Sequence, residues 1–192
     1  MESKDRLYKP VSFSKTVMTE LMLPAYANFG GKIHGGTILS LMDKIAYVCS
    51  SKHAGTYCVT VSVDTVDFLS PVEVGNLVSL HASVNYVGHS SLIVGIKAVS
   101  EDLKDYHIRH TNRSYFTMVA VDENLEPMMV PGLILETQDD VRRFIKAKIK
   151  KEFKKQKRAE LHEKISEIES TQNFSLLDGE HCKLGEELLK LK

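Results

Sequence analysis

Four apolar stretches rich in β-branched residues crowd into residues 59–122 with only short connections between them, and no other feature restricts the fold as much. Residues 59–69, VTVSVDTVDFL, alternate Val59, Val61 and Val63 with Thr60, Ser62 and Asp64, the period of a half-buried strand. After the turn SPVEVGN come LVSLHASVNYV (Leu77 to Val87), the turn GHS, and SLIVGIKAVSED as a third strand. A polar hairpin loop, Leu103 to Ile108, then leads into RHTNRSYFTMVAVD (Arg109 to Asp122), which ends at DENLEP. Parallel neighbours need a crossover of a dozen or more residues, so connections this short make the sheet mainly antiparallel.

One strong helical pattern precedes these strands. In TILSLMDKIAYVCSSKH, Ile38, Met42, Ile45 and Cys49 recur at spacings of four, three and four, joined by Leu39 and Ala46, and His53-Ala54-Gly55 supplies a stop. A helix followed by a run of strands predicts an α+β fold with the helix packed on one face of the sheet. Beyond Pro131, residues 141–170 hold long-chain helix formers and a sparse apolar row, Phe144, Ile145, Ile149 and Phe153, which predicts an exposed helix. The last twenty or so residues are weakly patterned, with a short helix near 185–191 or disorder expected. The chain therefore reads as a domain over 1–136 and a charged, mainly helical extension over 137–192.

Charge and cysteine usage narrow the function. The net charge of zero hides a split, with 14 Lys and Arg against 9 Asp and Glu from Arg142 onward, and 11 against 16 before it. Arg142 to Arg158 alone holds ten basic residues and one acid; it reads as a solvated helix, while phosphates of a ligand or nucleic acid are the other occupants such a run attracts. Cys49, Cys58 and Cys182 have no ligand-like spacing and fit reduced thiols. With no apolar leader and no run of 18 apolar residues, a cytoplasmic protein without a membrane partner is expected. No phosphate loop, nucleophile elbow, dinucleotide fingerprint or HExxH is present, and no histidines pair at metal-ligand spacing, so no metal is expected.

The chemistry concentrates in NFGGKIHGGTILSLMDK, Asn28 to Lys44. Asp43 sits at the margin of an apolar helical stripe, where a carboxylate must be paired or have its proton affinity changed; either outcome is common in active sites, and the plain alternative is pairing with Lys44 or Lys52 on a solvated face. Gly35-Gly36 fall where the helix begins, so unobstructed first-turn N–H groups and the helix dipole can bind an oxyanion, or the glycines simply allow close packing. A helix-start donor pair and Asp43 two turns later would face one substrate groove, and Thr60 is expected to line it. Asp64 and Asp67 differ in strand parity and should face opposite ways, which argues against a shared acid–base role.

The same stretch, with VTVSVDTVDFLSPVEVGNLVSLHASVNYVGHSSLIVGIKA and FTMVAVDENLEPMMVP after it, closely resembles the hotdog-fold acyl-coenzyme A thioesterases of the bacterial short-to-broad-range type and their eukaryotic double-hotdog relatives, over residues 12–135. The resemblance implies an antiparallel sheet wrapped around a long central helix, protomers paired edge to edge, and a trimer of such dimers. It implies acyl-CoA as substrate, with coenzyme A part of substrate and product rather than a cofactor, and no nucleic-acid or membrane partner. Asp43 matches the catalytic acid and Asn28 the catalytic Asn eight residues before Gly36, the two coming from opposite protomers. Gly36 would offer its N–H to the thioester carbonyl, with Gly35, His34 and Thr60 around the substrate. Val87-Gly88-His89-Ser90-Ser91 matches the turn that lies along the pantetheine and phosphates, so Gly88, Ser90 and Ser91 join the binding set; His89 stands where Arg is frequent. His34 falls at a position that is His or Phe in relatives and reads as structural rather than as a base. A non-catalytic acyl-CoA-binding regulator and a hotdog hydratase or dehydratase are the rival readings; no helix-turn-helix precedes the domain, and His34 and Asp43 are poorly spaced for a dehydratase pair.

Overall fold

The computed structural model describes residues 7–171 and 174–186. In chain order the elements are β1 (Tyr8–Pro10), α1 (Val11–Ser14), β2 (Thr16–Leu21), α2 (Gly35–Ala54), β3 (Cys58–Val63), β4 (Asp67–Phe68), β5 (Leu77–Val87), β6 (Ser91–Glu101), β7 (Ile108–Ala120), β8 (Gly132–Ile134) and α3 (Gln138–Thr171). The main sheet is antiparallel throughout, in the order β2-β5-β6-β7-β3, and β4 continues along the same side of β7 as β3. β1 and β8 pair in parallel as a separate small ribbon.

α2 touches β2, β3, β5, β6 and β7, so the sheet curls around it. Its buried positions, Ile38, Leu41, Met42, Ile45, Ala46 and Cys49, recur at the helical period and face Leu80, Val84, Val94, Phe116 and Met118 in one core. Each of the Val, Leu, Ile, Phe and Met side chains among them contributes roughly 1.5–3 kcal/mol by leaving water. Leu39, counted in the stripe on sequence grounds, stays partly exposed. Gly55, at φ +79°, closes α2 in the left-handed conformation, as its position after His53 predicts.

The expected single strand over 59–69 is two pieces. Thr60 pairs with Met118 and Ser62 with Thr117, so Val61 is an extra, bulged residue, and pairing lapses before β4 resumes it. β3 is also the last strand on its side, which leaves Val61 and Val63 exposed although their alternation reads as half-buried.

Thr137 and Asp140 start α3 with a reciprocal cap, Thr137 N–H to Asp140 Oδ2 at 3.0 Å and Asp140 N–H to Thr137 Oγ1 at 3.1 Å. Phe144 lies on Tyr86, with ring centroids 5.1 Å apart, and Ala147 is fully buried. The compact units are Met1–Lys148 and Ile149–Lys192. In the second, Phe153, Leu161, Ile165 and Ile168 are exposed on the helix. The short helix expected near 185–191 falls mostly outside the described residues. Among the described residues no helix is long and apolar enough to cross a membrane.

Candidate functional site

His34 caps α2 with its side chain. Its Nδ1 accepts the Gly36 N–H at 2.9 Å, and its carbonyl accepts from Thr37 N–H at 2.9 Å. The glycine pair is what admits its neighbours: a Cβ on Gly36 would stand 2.9 Å from His34 Nδ1, and one on Gly35 would stand 3.0 Å from the Phe68 ring. Gly35-Gly36 thus serve packing at the helix start, and the Gly36 N–H is held by His34.

Asp43 departs from the picture of a carboxylate in a buried helix. It is exposed, and its Oδ1 accepts from Thr60 Oγ1 at 2.7 Å across the groove between α2 and β3. The physical reason lies in the sheet order: β3 is terminal, so among the described residues no further strand covers this side of α2. Leu39, Asp43 and Tyr47 follow at i, i+4 and i+8 along that side, and with Tyr57, Val61 and Val63 they leave an apolar margin in water beside an unpaired strand edge. Asp67, in contrast, lies 3.5 Å from Arg113 as an ion pair.

Asn28 stands in the loop before α2. Its Oδ1 accepts the N–H groups of Gly30 (2.9 Å) and Lys32 (3.2 Å), which fixes the amide and leaves Nδ2 facing out as a donor. With Gly35, Ile38, Phe68 and Asn112 it lines a cavity of about 340 Å³. Asn112, not singled out from sequence, has a buried Oδ1 without a partner among the described residues, while its Nδ2 donates to the Asp67 carbonyl at 3.3 Å. A polar residue on the core-facing side of a strand was the available signal.

Within one chain the remaining pieces stay apart. No hydrogen bond joins Asn28 to Asp43, and the seven residues from Gly36 to Asp43 advance about 10 Å along the axis. One carbonyl group cannot lie within about 3 Å of both. The turn at Gly88, Ser90 and Ser91 is held by its backbone, Gly88 N–H to Ser91 O at 2.7 Å and Ala120 N–H to Ser90 O at 2.9 Å, with His89 exposed at the tip.

Residues 30–106 match the model of the thioesterase superfamily. Protein VdlD of Helicobacter pylori is 48% identical over 141 residues, which cover 73% of this chain and 80% of that protein. The chain belongs to the thioesterase superfamily. Among solved thioesterases, an apo-hexameric acyl-CoA thioesterase is 37% identical and superposes with a TM-score of 0.77 over 80% of this chain and 98% of its own. The acyl-CoA hydrolase of Staphylococcus aureus, solved with butyryl coenzyme A, coenzyme A and coenzyme A disulfide, is 32% identical, with a TM-score of 0.75 over 84% of this chain and 98% of its own. It has also been solved with alanine in place of Asn28, Asp43 or Thr60, the same residue types at the same three numbers as here. The antiparallel sheet curled on one long helix is the hotdog fold of these enzymes.

Proposed function

We propose that this chain hydrolyses the thioester of acyl-CoA to a free acid and coenzyme A, at a site completed only when two copies pair. The observation that carries it is the Thr60–Asp43 hydrogen bond, which presents an oriented carboxylate on an open sheet edge, about 10 Å from the oxyanion-binding end of its own helix. Pairing two copies along β3 covers the apolar margin and brings Asp43 of one to Asn28 and the helix start of the other.

In that site Asp43 takes a proton from water. The hydroxide so formed attacks the thioester carbon, and the carbonyl electron pair moves to oxygen. The Gly36 N–H exchanges His34 Nδ1 for this oxyanion, backed by the α2 dipole, and Asn28 Nδ2 donates to the carbonyl side. Collapse expels the thiolate of coenzyme A, which receives the proton from Asp43. His34 and Gly35 shape the entrance, Thr60 orients the acid, and the Gly88, Ser90, Ser91 turn runs along the pantetheine. Coenzyme A leaves as product and is no resident cofactor. The hexameric relative supports a trimer of such dimers, and the expected compartment is the cytoplasm.

Mixing two inactive variants tests the shared site. Asn28→Ala and Asp43→Ala, each without thiol release alone, are unfolded together and refolded; hybrid dimers then hold one intact site. Random pairing restores about a quarter of wild-type activity. If the mixture stays inactive although hybrids are detected by mass spectrometry, the two-copy site is wrong.

A further inference from the structure

A larger cavity, about 670 Å³, opens on the opposite face of the sheet from α2, beside the first turns of α3. Its size falls within the range of small-molecule sites. Strand register builds it: His81 on β5 pairs with Lys97 on β6, and Lys97 with Arg113 on β7, so three outward-facing basic side chains stand in one row. Like charges placed directly opposite each other across strands oppose folding, so the Lys97–Arg113 pair costs stability and asks for an anion. Lys15, Arg142, Arg143 and Lys146 complete the rim, and no carboxylate lines the cavity. Arg113 pairs with Asp67, and Arg142 and Arg143 share the single carboxylate of Asp139. Lys15, Lys97 and Lys146 have no ion pair among the described residues, so the cavity keeps a net positive charge.

The floor is built as well as the rim. Asn85 is only 6% exposed, and its Oδ1 accepts from Ser83 Oγ at 2.9 Å, while Ser83 Oγ in turn lies 3.5 Å from Arg143 Nη1. That leaves the Asn85 Nδ2 hydrogens without an acceptor among the described residues. The amide lies over Gly95, which lines the same cavity and has no Cβ to displace it. A nearly buried, unpartnered N–H donor under a ring of cations is the arrangement that takes phosphate oxygens.

We infer that this cavity binds a small anion bearing a pyrophosphate, with Asn85 Nδ2 as floor donor and Lys97, Lys146 and the Arg142–Arg143 pair supplying charge. It shares no lining residue with Asn28, Gly36, Asp43 or the 88–91 turn, so it is a second site. Two sources carry this chemistry: a free pyrophosphate compound, and the phosphorylated nucleotide end of a second coenzyme A molecule.

Calorimetry on the full chain at low salt tests the inference with inorganic pyrophosphate as probe, followed by competition with adenosine 3′,5′-bisphosphate and with coenzyme A. Wild type is expected to bind pyrophosphate saturably, with affinity falling as salt rises, and Lys97→Glu and Lys146→Glu each to bind about tenfold more weakly or worse. Both lysines are exposed, so neither change threatens the fold, and thiol release at saturating acyl-CoA stays at the wild-type value. Competition by both nucleotide probes points to the second coenzyme A molecule; failure to compete, with pyrophosphate bound, points to a free pyrophosphate compound. No saturable pyrophosphate binding by wild type, or equal affinity in both variants, overturns the inference.

Discussion

Replacing Gly95 with alanine adds one methyl group at a crowded point of the outer sheet face. The new Cβ would land on the Asn85 amide nitrogen, well inside the 3.0 Å that real Cβ atoms respect, 3.1 Å from Asn85 Cγ and 3.4 Å from Tyr115 Cε1. Neighbours on both adjacent strands therefore resist it, and the Asn85 amide must retreat by on the order of 1 Å. That shift stretches the 2.9 Å Ser83–Asn85 bond past hydrogen-bond range and strands a nearly buried carbonyl oxygen. Overpacking costs about 1–3 kcal/mol and the lost bond about 1 kcal/mol, against about 0.5–1 kcal/mol gained by removing a strand glycine. The net loss is about 1–3.5 kcal/mol, read as a drop of roughly 3–11 °C in Tm for a body of this size. Differential scanning calorimetry on Gly95→Ala, Asn85→Ala and the double variant measures it. The double variant should be more stable than the sum of the single losses by at least about 1 kcal/mol, because Asn85→Ala vacates the space the methyl needs. Additive losses, or a Gly95→Ala protein as stable as wild type, would refute the packing argument.

Two further outcomes are expected. Thr60→Val removes the hydroxyl that orients Asp43 while keeping the side-chain shape; kcat in a thiol-release assay should fall about tenfold or more, with Thr60→Ser near wild type and Tm unchanged in both, and an unaltered kcat in Thr60→Val would deny Thr60 its role. Burial pushes the Cys49 thiol up to about 12 from 9.0, against the lowering effect of the Ser14 side chain. The folded chain keeps that proton where the unfolded chain has lost it, so this contribution is whole below pH 9 and declines as pH rises from about 9 to 12, by up to about 1.4 kcal/mol per pH unit. Urea midpoints across that range should fall more steeply for wild type than for Cys49→Ala; parallel slopes would contradict it.

Much of the fold was legible because burial writes itself into period. α2 and the strands β5, β6 and β7 each bury one regular set of side chains, and their short connections leave only antiparallel pairing. β2 escaped notice because Thr16–Leu21 alternates between half-buried and exposed positions, with no fully buried residue to mark it. The break between β3 and β4 comes from one bulged residue, Val61, which strict alternation conceals. The candidate site divides in the same way. Asn28, Gly35, Gly36 and Asp43 fall within 16 consecutive positions and read as a group. Asp43 was expected in a buried setting because local period does not say which strand ends a sheet, and here the strand beside it does. Lys15, Lys97, Arg113 and Arg142 are scattered along the chain; strand register sets Lys97 beside Arg113, and the tertiary fold brings Lys15 and Arg142 to the same cavity.

The stretch of α2 from Gly36 to Asp43 works as a ruler. Its length is set by backbone rise, so substitutions along it leave the spacing unchanged, whereas inserting or deleting one residue turns everything beyond it by about 100°. Asp43 would then swing off Thr60, and Met42 or Lys44 would stand in its place. The segment should therefore accept changes of side chain at exposed positions such as Ser40 and no change of length, while Phe29, fully exposed at the tip of its loop, should tolerate substitution.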